Sequence, residues 1–97
     1  MPNTYPLPIK YSKLTPLQRR EVRMQYIKEQ NGLCFWCKEK LTKPPAKHIR
    51  EKEIDWSLFP ENFQDFPIHL QHNHETDLTE GAVHALCNAV MWQYHRR

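Results

Sequence analysis

His84-Ala85-Leu86-Cys87-Asn88 is the stretch on which the fold turns: two metal-binding side chains three positions apart, entering a run of helix formers that lasts to Tyr94. Upstream lies a second such pair, Cys34-Phe35-Trp36-Cys37, and between the two sits a histidine cluster, His69-Leu70-Gln71-His72-Asn73-His74. Zn²⁺ prefers four tetrahedral nitrogen and sulfur ligands. Two ligands three residues apart both reach one ion from a tight knuckle or a first helical turn. Cys34, Cys37, His84 and Cys87 therefore read as the ligands of a structural zinc, with no position left open for chemistry. Two other readings compete. Cysteines are often buried simply as small hydrophobes. A redox Cys-x-x-Cys pair expects a βαβ context that is not visible here.

Composition gives the metal a reason. The chain has 97 residues, 39% of them hydrophobic, and 8 prolines. A domain of this size buries a limited core and is commonly helped by metals or disulfides. Three cysteines, an odd number, argue against a closed disulfide framework and for a reducing compartment. No apolar stretch has the length of a membrane span, and the N-terminus lacks a signal-peptide core. The expectation is a soluble cytoplasmic protein with no membrane partner.

Charge is segregated. Residues 1–50 carry 11 Lys and Arg against 3 Asp and Glu, whereas residues 51–97 carry 3 against 8. Clustered Lys and Arg dominate phosphate binding, so Arg19, Arg20, Arg23 and Lys28, with Arg96 and Arg97, are candidate DNA contacts. An ordinary solvated helix face carries similar decoration.

Along the chain, residues 1–14 read as an extended arm and residues 15–97 as a single domain with an irregular insertion at 42–67. Thr15-Pro16 starts a helix, with Thr15 as N-cap and proline in the first turn. Leu17, Val22, Tyr26 and Ile27 fall broadly on one side of it, and Gly32 is placed to cap its end. Ile68–His72 alternates as a short strand, residues 75–81 turn, and Ala82-Val83 returns. Trp56, Leu58, Phe59, Phe63 and Phe66 are expected to pack the insertion onto the core.

Knuckle, hairpin and a helix supplying the last two ligands make an α+β treble clef, the ββα-metal arrangement. With these residues in place the chain resembles the HNH nucleases, and most closely the recombination endonuclease VII family of phages, which cleave branched DNA. The segments Gln30–Cys37, His69–His74 and Gly81–Ala89 carry the resemblance. The family pattern Asp-His-x-His-x-Thr-Gly-x-x-x-Gly-x-x-Cys-x-x-Cys-Asn can be laid on residues 71–88 without a gap. Roughly residues 15–95 follow the family's element order, and about 35 positions carry specific motif content. His84 stands where the family often has cysteine, an equivalent zinc ligand.

The resemblance implies a phage-encoded, metal-dependent endonuclease whose products carry 5′-phosphate and 3′-hydroxyl ends. His72 would be the general base, suited by an ordinary pKa of about 6.5. A catalytic divalent cation, Mg²⁺, Mn²⁺ or similar, would sit near Asn88 and Gln71. His74 would contact phosphate or help hold the metal. His95 would supply a further ligand, although helix rise sets it about 10.5 Å along the axis from Asn88. Three positions depart from the pattern. Gln71 replaces an Asp or His that binds the catalytic metal, and a neutral amide holds such ions less well. Asp77 replaces a turn glycine, and Glu80 an arginine. His69 and His48 have no distinguishing context. Two other functions stay open: a treble clef that binds DNA without cutting it, and an interaction protein whose acidic 51–65 stretch docks a protein partner. Oligomeric state stays open as well.

Overall fold

The structure is a computed structural model that describes residues 4–95, which leaves Arg96 and Arg97 outside the described residues. Among the described residues, no helix is long and apolar enough to cross a membrane.

The first helix, α1, runs Pro16–Glu29. Its start is a full capping box: Thr15 Oγ1 accepts from the Gln18 N–H, and the Gln18 side chain accepts from the Thr15 N–H. The box satisfies two backbone donors that would otherwise be orphaned. At the other end the cap falls one residue earlier than expected. Asn31 takes the left-handed conformation (φ 57°) and Gly32 follows it (φ 76°). The Gly32 N–H donates to Ile27 O and that of Asn31 to Lys28 O, which is a Schellman closure with asparagine at the left-handed position. Val22 is buried, but Leu17 is 65% exposed. Five residues from Val22, it lies roughly 140° round the helix and away from the core.

Residues 33–40 form the knuckle, pinned by a bridge between Leu33 and Lys40 and by the Cys34 N–H donating to Glu39 O. The segment 42–67 is mainly irregular, with one short helix, α2 (Lys47–Arg50), and a 3₁₀ turn at Trp56–Leu58. Then come β1 (Ile68–His72), β2 (Thr79–His84) and α3 (Ala85–His95), the last following β2 without a linker. The two strands pair antiparallel, and both α1 and α3 pack against both of them. Cys34, Leu41, Ile49, Ala82, Val83, Cys87, Val90 and Met91 form the buried core.

β2 begins three residues before the expected Ala82. The turn is tighter than its sequence suggests: Asn73 Oδ1 accepts from the N–H groups of Glu75 and Thr76, an Asx-turn, and Asp77 adopts φ 64°. The early part of β2 is also paired from outside the hairpin. The Thr79 N–H donates to Ile9 O, and the Tyr11 N–H to Asp77 O, so the N-terminal segment lies along this edge. Register shifts between Gln71, opposite Gly81, and His72, opposite Thr79. Glu80 is thus the extra residue of a bulge, a device that re-aims neighbouring side chains.

Candidate metal centre and adjoining cleft

The four residues expected to bind zinc converge. One ligand atom from each of Cys34, Cys37, His84 and Cys87 lies within 4.8 Å of the others. The knuckle presents the first two thiols, with the N–H groups of Trp36 and Cys37 donating to Cys34 Sγ at 3.3 and 3.5 Å. The end of β2 and the first turn of α3 present His84 and Cys87. The His84 ring is oriented by the chain itself, since Nε2 lies 3.0 Å from Lys40 O and 2.8 Å from Lys43 O. Donation there leaves Nδ1 as the lone-pair nitrogen facing the thiols, the usual support of a metal-binding imidazole.

Distances test the fit. Bonds of about 2.3 Å to sulfur and 2.05 Å to nitrogen, opened at the tetrahedral angle, set S and N about 3.6 Å apart. Nδ1 of His84 lies 3.5 Å from Cys37 Sγ and 3.6 Å from Cys87 Sγ. Charge agrees. A hydrogen bond from the Cys87 thiol, opposed by burial and helped by backbone N–H donors, pulls Cys34 down to about 4. The same thiol–thiol bond, with burial, pushes Cys87 up. Three sulfurs and one imidazole nitrogen crowded within 4.8 Å form a donor set that suits a dication. This Cys₃His group can hold a structural metal ion such as zinc.

On the other side of the hairpin lies a cleft of about 580 Å³. Its walls include Arg19 and Arg23 of α1, His69, Gln71 and His72 of β1, His74, Asn88 and Trp92 of α3, and the apolar rim of Leu58, Phe59, Phe63 and Phe66. No Asp or Glu is among its lining residues. His72 stacks flat on Tyr11, with centroids 3.9 Å apart and planes at 9°. The Arg19 guanidinium lies over the Tyr11 ring, 4.2 Å from its centroid, and His74 meets His72 edge-on at 4.6 Å. Burial lowers the His72 pKa, reinforced by the charges of His74 and Arg19 and opposed by Asp77 and Glu80. The ring is therefore neutral, with a lone pair, near pH 7.

The expected site residues divide. His72, His74 and Asn88 share this cleft with Arg19 and Arg23. Arg20 and Lys28 are exposed on α1 and do not line it. Gln71 borders it, yet is only 2% exposed, and its Nε2 is spent on His72 O at 3.0 Å and Glu80 Oε1 at 3.4 Å. His95 stands elsewhere. Its ring packs on Trp36, centroids 5.2 Å apart, in a separate depression with His48 and Lys52. As helix rise implied, His95 lies two turns beyond Asn88 on a similar helical face, and the two line different depressions.

Asn88 has a partner that sequence reading passed over. Its Nδ2 lies 3.0 Å from Nδ1 of His69. Strand alternation could have signalled this, since His69 and Gln71 occupy the same face of β1. Tyr11 was missed because it belongs to the arm. Gln30 was also missed: its Nε2 donates to Leu33 O and Ala82 O while its Oε1 accepts from the Ala82 N–H, tying α1, knuckle and β2 together. The insertion aromatics both pack and expose. Phe59 meets Trp92, and Phe63 meets His69 edge-on, whereas Phe66 is exposed at the rim. Compared with protein-family models, curated proteins and solved structures, the chain matches none of them.

Proposed function

We propose that the chain is a metal-dependent endonuclease of the HNH, treble-clef type, hydrolysing phosphodiester bonds in DNA by nicking or cutting. One observation carries the reading. A neutral, partly buried imidazole, a second histidine, a side-chain amide and two arginines share one carboxylate-free cleft, beside a Cys₃His cluster that fixes the same hairpin and helix.

Each group has a task that suits its surroundings. His72, its lone pair kept free by burial, takes the proton from a water directed at phosphorus. Tyr11 and His74 hold its ring plane. Arg19 and Arg23 meet the phosphate oxygens, where guanidinium geometry fits best. The amide of Asn88 would help hold a divalent cation, which would supply charge stabilisation for the phosphorane and the departing 3′ oxygen. The resemblance to the HNH nucleases implies products with 5′-phosphate and 3′-hydroxyl ends.

A second reading rests on Gln71. Its side chain is buried and its Nε2 bonded internally, and a neutral amide stands where a metal-binding Asp or His is expected. A protein that binds DNA without cutting it is the result if nothing else holds the ion. Plasmid nicking separates the two. With Mg²⁺, Mn²⁺ or Ni²⁺ we expect supercoiled DNA to relax, EDTA to stop it, and zinc-loaded His72→Ala to lose roughly 10²–10⁴-fold. No cutting with any ion, together with a salt-sensitive shift of the same DNA, overturns the nuclease reading in favour of binding.

A further inference from the structure

The cleft contains a donor pair that the motif does not assign. We propose that Nδ1 of His69 and the amide oxygen of Asn88 together form the binding site for the catalytic divalent cation, in place of Gln71, and that this site selects a first-row transition ion over Mg²⁺. The inference rests on the nuclease reading for its purpose, but its geometry stands apart from it.

His69 and Asn88 come from different elements, the second residue of β1 and the first turn of α3, yet Nδ1 and the carboxamide Nδ2 are 3.0 Å apart. Nitrogen and oxygen of a carboxamide are assigned from hydrogen bonding rather than seen. A half-turn of the amide puts Oδ1 at the same place with no movement of the backbone. Two neighbouring ligands on an octahedral ion with bonds of about 2.1 Å are about 3.0 Å apart. The pair already has the spacing of one edge of such a shell. Adjacent Cys87 anchors the same helical turn in the Cys₃His cluster, so Asn88 is held by a rigid neighbour.

Nδ1 of the His69 ring is already turned toward Asn88, and the ring is partly buried. Phe63 meets the ring edge-on, centroids 4.7 Å apart. Of the alternative ligands, Gln71 is almost wholly buried with its Nε2 bonded to His72 O, and His95 packs on Trp36 in a separate depression. Arg19 and Arg23 on the same cleft bring a phosphate toward the pair.

The donor set decides the ion. One imidazole and one neutral amide bring no negative charge, and Mg²⁺ is held chiefly by carboxylates and phosphates. Imidazole raises affinity along the series from Mn²⁺ to Ni²⁺ and Cu²⁺. The empty remainder of the shell is left for water and a phosphate oxygen, so affinity rises when DNA is present.

The test is a Mn²⁺ titration of the zinc-loaded protein, alone and with a short phosphorothioate duplex, followed by paramagnetic broadening of the histidine ring signals and by calorimetry. We expect His69 to broaden first. His69→Ala and Asn88→Ala should each weaken Mn²⁺ at least tenfold with zinc content unchanged, and His95→Ala should not. His69→Asn, which keeps a polar side chain, serves if His69→Ala fails to fold. Equal Mn²⁺ affinity in the His69 variants, or first broadening at His95, overturns the site. If plasmid is cut in a His72-dependent way while His69 proves indifferent to Mn²⁺, the ligand assignment falls and the nuclease stands. If Mn²⁺ binding needs His69 but no ion supports cutting, the site stands and the nuclease falls.

Discussion

Cys87 and Asn88 are neighbours on the first turn of α3, and they serve two regions built on opposite plans. Cys87 faces the Cys₃His cluster, whose four donors all come from the chain and whose imidazole is fixed by two backbone carbonyls. Asn88 faces a cleft whose donors are neutral and few, and whose remaining positions open to solvent. The closed region has nothing left to offer a substrate and can only hold the fold. The open region is where the proposed function places binding and reaction. Each needs the other, because an amide and an imidazole contributed by separate elements stay 3.0 Å apart only when strand and helix are clamped.

The sharpest way to break that contrast is to open the closed side. Cys87→Ser, or removal of metal with a strong chelator, should unfold the domain, read as loss of the cooperative thermal transition. Structural zinc is worth on the order of 10–16 kcal/mol in small metal domains, as much as the whole stability of most domains. Acid should do the same, since protons compete for thiolates and His84, so zinc release should increase as pH falls. A chain that keeps its transition without metal removes the distinction between the two regions.

A smaller perturbation tests how the clamp reaches the cleft. Gln30→Ala deletes the amide that serves both the N–H and C=O of fully buried Ala82. Leaving such a donor unpaired costs about 1–3 kcal/mol, so the midpoint of denaturation should fall while metal stoichiometry holds. Gly81→Ala belongs with it: a Cβ there would stand 2.7 Å from Gln30 Oε1 and 2.9 Å from Phe35 Cβ. Equal stability in both variants would remove Gln30 as a structural tie.

The mildest effect belongs to the cleft. Because burial lowers the His72 pKa, the base stays unprotonated further into acid than a free imidazole. The acid limb of the cutting rate should therefore fall below about pH 6.5. Tyr11→Ala, which uncovers the ring to water, should move that limb upward by a fraction of a unit. A limb at or above the free-imidazole value would assign the titration to another group.

Much of this was legible in advance because it depends on short-range chemistry. Thr15-Pro16 announces the start of α1, and ligand pairs three residues apart announce the cluster. The alternation of Ile68–His72 announces its strand. Less legible were features that depend on which backbone lies alongside. Thr79 and Glu80 have no strand signal of their own and join β2 where residues 9–11 pair with the turn edge. His95 shares a helical period with Asn88, but the packing of Trp36 decides its surroundings. His69 carried no motif, and only the approach of α3 to β1 gave it a partner.

The amino-acid order by itself determined the two donor pairs, the start of α1 and the strand that carries His72, because each is set by residues within a few positions of one another. Tertiary structure alone decided that Tyr11 shields that imidazole, that Gln71 turns inward and that His69 meets Asn88. Those contacts join segments as far apart as 61 positions, and no local pattern encodes a distance that only packing can close.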